Sequence, residues 1–209
     1  AKGFSRYKDL LNQSNVSSGP ALVDILDKLI RMDVVAKEAP INDENNRKKS
    51  GYFISDNLSL FYYKYIFRNI SRMNLMDSDI FYDKYIAVDF ETKYVPKIFE
   101  NICRQYLIRK NRKGLMDEIF EKIGKYYYDD PIEKKNGEFD IVTLDDNGYI
   151  FYESKFRKDP ITESMIQNEI RQVQQTGLKC YKYGFFSKTG FLCEQKEDRI
   201  LIDLNELYQ

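Results

Sequence analysis

Residues 137–156, GEFDIVTLDDNGYIFYESKF, decide how this chain is read. Two runs rich in apolar and β-branched residues, Gly137–Leu144 and Tyr149–Phe156, flank Asp145-Asp146-Asn147-Gly148, so the stretch predicts a β-hairpin with a tight reversal. Side chains alternate along a strand, which sends Glu153 and Lys155 out of the same face. Whether Asp140 joins them depends on register. If Leu144 pairs with Tyr149 the paired numbers sum to 293 and Asp140 lies opposite Glu153; a turn made of Asn147-Gly148 alone gives 295 and puts Asp140 opposite Lys155. Both even-length loops keep the three on one face, and an odd loop would separate them.

Opposite residues lie roughly 5 Å apart, a distance at which two carboxylates can share one divalent ion. The strands around them are apolar on both faces: Val142, Leu144 and Phe151 beside the acids, and Phe139, Ile141, Ile150 and Tyr152 behind. Two acids in such a setting repel and are costly to desolvate unless something compensates. Lys155 can neutralise one, and a hard cation such as Mg²⁺ or Mn²⁺ the remainder. The same parts suit hydrolysis: a metal polarises a phosphoryl oxygen while Lys155 stabilises developing charge. This hydrolase reading requires Asp140 on the same side of the sheet as Glu153 and Lys155. The plain alternative for Glu153 and Lys155 is an ion pair on an edge strand.

The flanks extend the pattern. Residues 95–108 predict a helix burying Ile98, Phe99, Ile102 and Tyr106, with Glu100 off the apolar stripe. After the hairpin, residues 161–175 predict a crossover helix and 179–186 a strand parallel to the Glu153 strand, with a last strand at 200–204. "GEFDIV" followed by "YIFYESKF" resembles the Asp…Glu-x-Lys signature of the PD-(D/E)XK restriction-endonuclease-like nucleases. The resemblance implies metal-binding roles for Asp140, Glu153 and the additional acid Glu100, and a catalytic trio of Asp140, Glu153 and Lys155. It implies a Mg²⁺ or Mn²⁺ cofactor and a DNA substrate. The Pro that often precedes the Asp is replaced by Phe139, and Gln167 and Gln172 on the crossover helix match the pattern weakly.

Towards the N-terminus the order is helix (residues 5–12), turn, helix (to about Met32, capped by Ser18 with Pro20 in its first turn), strand, polar loop 42–49 and returning strand 51–54. That is the order of a winged helix. Its candidate nucleic-acid contacts are Lys28 and Arg31 on the second helix and Arg47, Lys48 and Lys49 in the wing. Residues 58–70 concentrate Phe61, Tyr62, Tyr63, Tyr65, Ile66 and Phe67. They are expected to lie on a core, the other reading being a base-stacking platform. Polar residues 71–79 resemble a boundary, giving a winged-helix domain at 1–70 and a nuclease-like domain at 71–209. Together the two are similar to the C-terminal region of archaeal-type ATPases. The resemblance implies an α/β (α+β) fold, a winged helix followed by a mixed sheet flanked by helices, and a missing N-terminal ATPase part. It leaves two functions open: a Mg-dependent DNA phosphodiesterase, or a non-catalytic DNA-binding or protein-interaction module of a larger ATPase.

Composition removes other classes. Lys+Arg and Asp+Glu both total 33, so no net basic field attracts nucleic acid to the chain as a whole. With no histidine, Ser-His-Asp and Cys-His catalysis and His-ligated zinc are excluded. The three cysteines are far apart, which favours a reducing, cytoplasmic setting over a disulfide framework. No apolar run reaches the roughly 18 residues of a membrane span, and no phosphate-loop motif is present. Association into a homo-oligomer is compatible with this composition.

Overall fold

The computed structural model describes residues 3–46, 48–130 and 135–208, without the side chains of Asp130 and Lys135. The chain divides into two compact units, Ala1–Phe90 and Glu91–Gln209. It is a mixed α/β protein, and among the described residues no helix is long and apolar enough to cross a membrane.

The first unit opens with α1 (Tyr7–Gln13) and α2 (Gly19–Arg31). The Ser18 side chain accepts a hydrogen bond from the Ala21 amide at 3.4 Å, and Pro20 lies in the first turn, where its missing N–H costs nothing. Leu22 and Leu26 form the buried stripe of α2. Strands β1 (Val35–Glu38) and β2 (Gly51–Ile54) pair antiparallel, with Val35 facing Ile54 and Glu38 facing Gly51. Two helices and a hairpin thus follow in the expected order.

The unit does not end at residue 70. After α3 (Asn57–Phe61) the helix passes through a π-helical stretch, Tyr62–Ile66, and continues into α4 (Ile70–Met73), α5 (Ser78–Tyr85) and α6 (Ala87–Asp89). The last of these closes back on the first. Tyr65 donates a hydrogen bond to Asp89 at 2.6 Å, and the Phe90 ring lies 6.0 Å from Phe61 and 6.3 Å from Tyr82. Polar residues 71–79 are therefore a surface passage between helices, not a domain boundary. The expectation that the aromatic helix lies on a core holds for Tyr65, which is 3% exposed, and in part for the half-buried Phe61 and Ile66, whereas Tyr62, Tyr63 and Phe67 are 40%, 45% and 54% exposed.

The second unit begins with the long helix α7 (Val95–Arg112), followed by β3 (Lys122–Asp130), β4 (Lys135–Asp145) and β5 (Gly148–Lys155). After the short β6 (Ile161–Thr162) come the crossover helix α8 (Glu163–Gln175), β7 (Cys180–Ser187), β8 (Phe191–Leu192), β9 (Arg199–Asp203) and α9 (Leu204–Leu207). The five-stranded sheet has the order β3-β4-β5-β7-β9; its first three strands are antiparallel and β5, β7 and β9 parallel. One face packs Ile141, Ile150, Tyr152, Phe186 and Ile202 against Phe99, Cys103 and Leu107 of α7. The other is covered by α8, whose Ile166, Ile170 and Val173 are buried.

The hairpin has the register of the first arithmetic: Leu144 pairs with Tyr149 and Asp145 with Gly148, leaving Asp146 and Asn147 as the loop. The Asp145 carboxylate enforces that length, accepting from the amides of Asn147 at 2.7 Å and Gly148 at 3.1 Å, while Gly148 takes a φ of 126° that side chains disfavour. Across the next pair of strands, Gly184 lies opposite Tyr152 so closely that a Cβ would stand 2.1 Å from the ring. The Tyr152 ring is 1% exposed and cannot swing away. Gly184→Ala is expected to destabilise the second unit by about 1–3 kcal/mol, read as a lower urea midpoint with an unchanged slope.

Candidate active site

Strand β3, which sequence patterning did not single out, carries the decisive irregularity. Gly124 pairs with Val142 but Tyr126 pairs with Phe139, so Lys125 alone faces both Asp140 and Ile141. This is a β-bulge on β4, a device that re-aims side chains. Its effect is visible on both sides. Phe139 lies with Phe151 (ring centroids 5.0 Å apart) and stacks on Tyr128, whose hydroxyl meets Gln172 of α8. Ile141 belongs to the core beneath α7. Asp140 goes the same way as Ile141: its Oδ1 meets Lys125 Nζ at 2.9 Å and Lys97 Nζ of α7 at 3.3 Å. Glu153 and Lys155 leave the other face, where Lys155 Nζ lies 2.8 Å from Glu153 Oε1 and 2.7 Å from Glu169 Oε1 of α8.

The single-face trio expected from the loop length is thus corrected. The loop is even, but the bulge adds one residue to β4 and reverses the parity before Asp140. Pairing of β4 with β5 also stops at Ile141–Tyr152, so Asp140 and Glu153 stand where the two strands part. The charged groups collect around this parting rather than on one face. Lys97 ion-pairs with Glu100 one helical turn on, and Lys125 also binds Glu138 at 2.6 Å.

Electrostatics connects the two groups. Burial, followed by repulsion from Asp140, raises Glu100 to about 7 despite Lys97 and Lys125. Glu153 is also raised, first by burial and then by Glu169 and Asp140, with Lys155 opposing. For Asp140 burial acts upward, but Lys125 and Lys97 outweigh it and hold the carboxyl below its ordinary value. Lys155 is raised because Glu153 and Glu169 outweigh the burial that would lower it, so its amine stays charged. Asp140 is the acid felt by both others.

Three participants escaped the sequence reading. Lys97 is visible in retrospect as the i, i+3 partner of Glu100, and Glu169 sits on the inward side of the crossover helix. Lys125 had no signal once β3 went unrecognised. Gln167 binds Glu163 and Gln172 reaches Tyr128, so neither touches this cluster. Among the described residues no three acidic or cysteine side chains stand close enough together to hold a metal ion, and lysines lie against the acids.

In the first unit the proposed nucleic-acid contacts are largely engaged. Lys28 pairs with Asp24 at 2.7 Å, Lys49 with Asp43 at 3.1 Å, and Arg31 Nε donates to the Asp27 carbonyl at 3.3 Å. Lys48 is exposed, and Arg47 lies outside the described residues.

Fold and site together define a two-unit α/β protein with an acid–lysine cluster where β4 parts from β5. The chain belongs to the DUF234 family, archaeal and bacterial proteins of unknown function, whose profile matches residues 62–173. It is 29% identical over 191 residues to an uncharacterized protein, MJECL04, of Methanocaldococcus jannaschii, covering 88% of this chain and 41% of that one. The chain thus spans about two fifths of that relative's length. No solved structure matches it significantly.

The raised Glu100 makes a sign-specific prediction. A carboxyl with a folded pKa of about 7 against an ordinary 4.5 stabilises the fold when protonated and loses that contribution as pH rises through this window. Glu100→Gln should therefore gain stability over the parent above pH 7 and show little difference below pH 4.5, measured by denaturant unfolding at both ends.

Proposed function

We propose that the second unit is a metal-dependent phosphodiester hydrolase acting on DNA, with its site where β4 parts from β5; the shared face set out as its requirement is not met, and the reading stands instead on acids that flank the parting strands from both sides. The observation that carries the reading is that Lys97 binds both Glu100 and Asp140, bringing these acids together where β4 parts from β5; in keeping with it, Asp140 raises both Glu100 and Glu153. Acids held above their ordinary pKa by burial and by one another are short of positive charge even with lysines present. The donors are all hard carboxylate oxygens, which is the chemistry that Mg²⁺ and Mn²⁺ accept. A bound cation would supply charge neutralisation and polarise a phosphoryl oxygen.

The chain's own residues account for the rest. Asp140, Glu153 and Glu100 would hold the ion, which requires Lys97 to give up Asp140 and Glu100, and Lys125 to leave Asp140 for Glu138. At 48% side-chain exposure Lys97 is free to swing into solvent. Lys155 is clamped between Glu153 and Glu169 and stays protonated, so its role is to stabilise charge developing on the phosphoryl group, not to abstract a proton. The bulge supports this arrangement by turning Asp140 towards Glu100 at the point where β4 leaves β5.

A second reading has its own observation: Asp140 already has two lysine partners, as a purely structural ion-pair network would require. On that reading the chain is a non-catalytic DNA-binding or protein-interaction module of a larger ATPase, in keeping with the greater length of its relative. Nicking of supercoiled DNA with Mg²⁺ or Mn²⁺ separates the two. Activity lost by at least about a hundredfold in Asp140→Ala and in Lys155→Ala is the expected result. Equal behaviour of parent and variants would leave the module. That reading instead expects salt-sensitive duplex binding that falls when Lys48 and Lys49 are neutralised.

A further inference from the structure

The exposed rings of the first unit have a geometric cause. The Phe67 amide donates to the Tyr62 carbonyl at 2.9 Å, an i→i+5 bond that belongs to the π-helical stretch Tyr62–Ile66. In an α-helix, where each residue turns about 100°, residues five apart diverge. A π-helical turn advances less per residue and brings them closer together around the helix. Here it gathers Tyr62, Tyr63 and Phe67 into one cluster, with centroids 5.2 Å apart for Tyr62–Tyr63, 5.4 Å for Tyr63–Phe67 and 6.1 Å for Tyr62–Phe67. All three rings are at least 40% exposed. π-Helical turns are rare and recur at functional sites, and this one builds a surface of rings that the fold does not bury.

The charge around it is one-sided. Residues 57–76 contain Lys64, Arg68 and Arg72 and no acid. Lys64 pairs with Asp89 at 2.6 Å. Arg72 bonds to the neutral Asn69 at 2.8 Å and lies 5.2 Å from the Tyr85 ring centroid. Arg68, beside Phe67, is exposed and has no acid partner among the described residues. Rings interleaved with unneutralised arginines suit a polyanion whose bases can stack. An apolar protein face would leave Arg68 buried without a counter-charge.

We infer that Tyr62, Tyr63 and Phe67, with Arg68, form a stacking surface for single-stranded nucleic acid. This surface is independent of the acid–lysine cluster of the second unit. A duplex hides the faces of its bases, so an unpaired strand is the form recognised.

The test is fluorescence anisotropy of a labelled oligodeoxythymidine with the full 209-residue chain in EDTA, where no metal-dependent cleavage can occur. The parent should bind, and more weakly as salt rises. Tyr63→Ala combined with Phe67→Ala should weaken binding about tenfold or more, while Tyr63→Phe, which keeps the ring, should bind like the parent. Arg68→Glu should weaken binding with the rings intact, a control should ring removal disturb the helix. A duplex of equal length should not respond to ring removal. No binding of the oligonucleotide by the parent at low salt would overturn the proposal and leave the patch to a protein partner. Alanine variants that bind like the parent, or a Tyr63→Phe as damaging as alanine, would overturn it too. Because this assay is read in EDTA and nicking only with Mg²⁺ or Mn²⁺, failure of the nicking assay and failure of this one are separate results.

Discussion

One carboxylate sets the geometry on which the second unit depends. By accepting the amides of Asn147 and Gly148, Asp145 closes a two-residue reversal and locks Leu144 against Tyr149. A slip of one residue would turn Ile150 and Tyr152 out of the core under α7 and bring Phe151 into it. Asp145 is itself 8% exposed and is met by the Tyr181 hydroxyl from β7, so the turn is tied to the parallel half of the sheet as well. Register, core and crossover then follow from one another.

Against that regular frame the bulge opposite Lys125 stands out as a local exception with a chemical result. A bulge costs a ladder hydrogen bond and local regularity. What it achieves here is the delivery of an acid to a helix: Asp140 reaches Lys97 and the neighbourhood of Glu100 instead of joining Glu153 on the α8 side. Two half-clusters result. Asp140, Glu100, Lys97 and Lys125 lie towards α7, and Glu153, Lys155 and Glu169 towards α8, with repulsion between acids as the link. Such coupling of partly buried acids is common at catalytic sites and also occurs in structural networks.

The first unit shows the same economy on a smaller scale. Its two helices and hairpin are regular, capped by Ser18 and paired over four residues of each strand. The departure comes in the following helix, where the π-helical turn leaves Tyr65 inside and Tyr62, Tyr63 and Phe67 outside. A straight α-helix through the same residues would separate Tyr62 from Phe67.

Much of this was legible from local chemistry. Turn residues announced the hairpin, alternation placed Glu153 beside Lys155, and the Ser18-Gly19-Pro20 start and the apolar stripe of α2 marked that helix, since capping and periodicity act within a few residues. The domain boundary, the exposure of the aromatic helix and the partners of Asp140 were not legible. Each depends on residues far apart in the chain: Tyr65 with Asp89, Lys125 with Asp140, Lys155 with Glu169. The sequence by itself determined the hairpin, the crossover helix and the capped helix α2. Only the tertiary structure decided where Asp140 points, because the extra residue of a bulge is defined by the opposing strand, and β3 becomes that strand only when the sheet assembles.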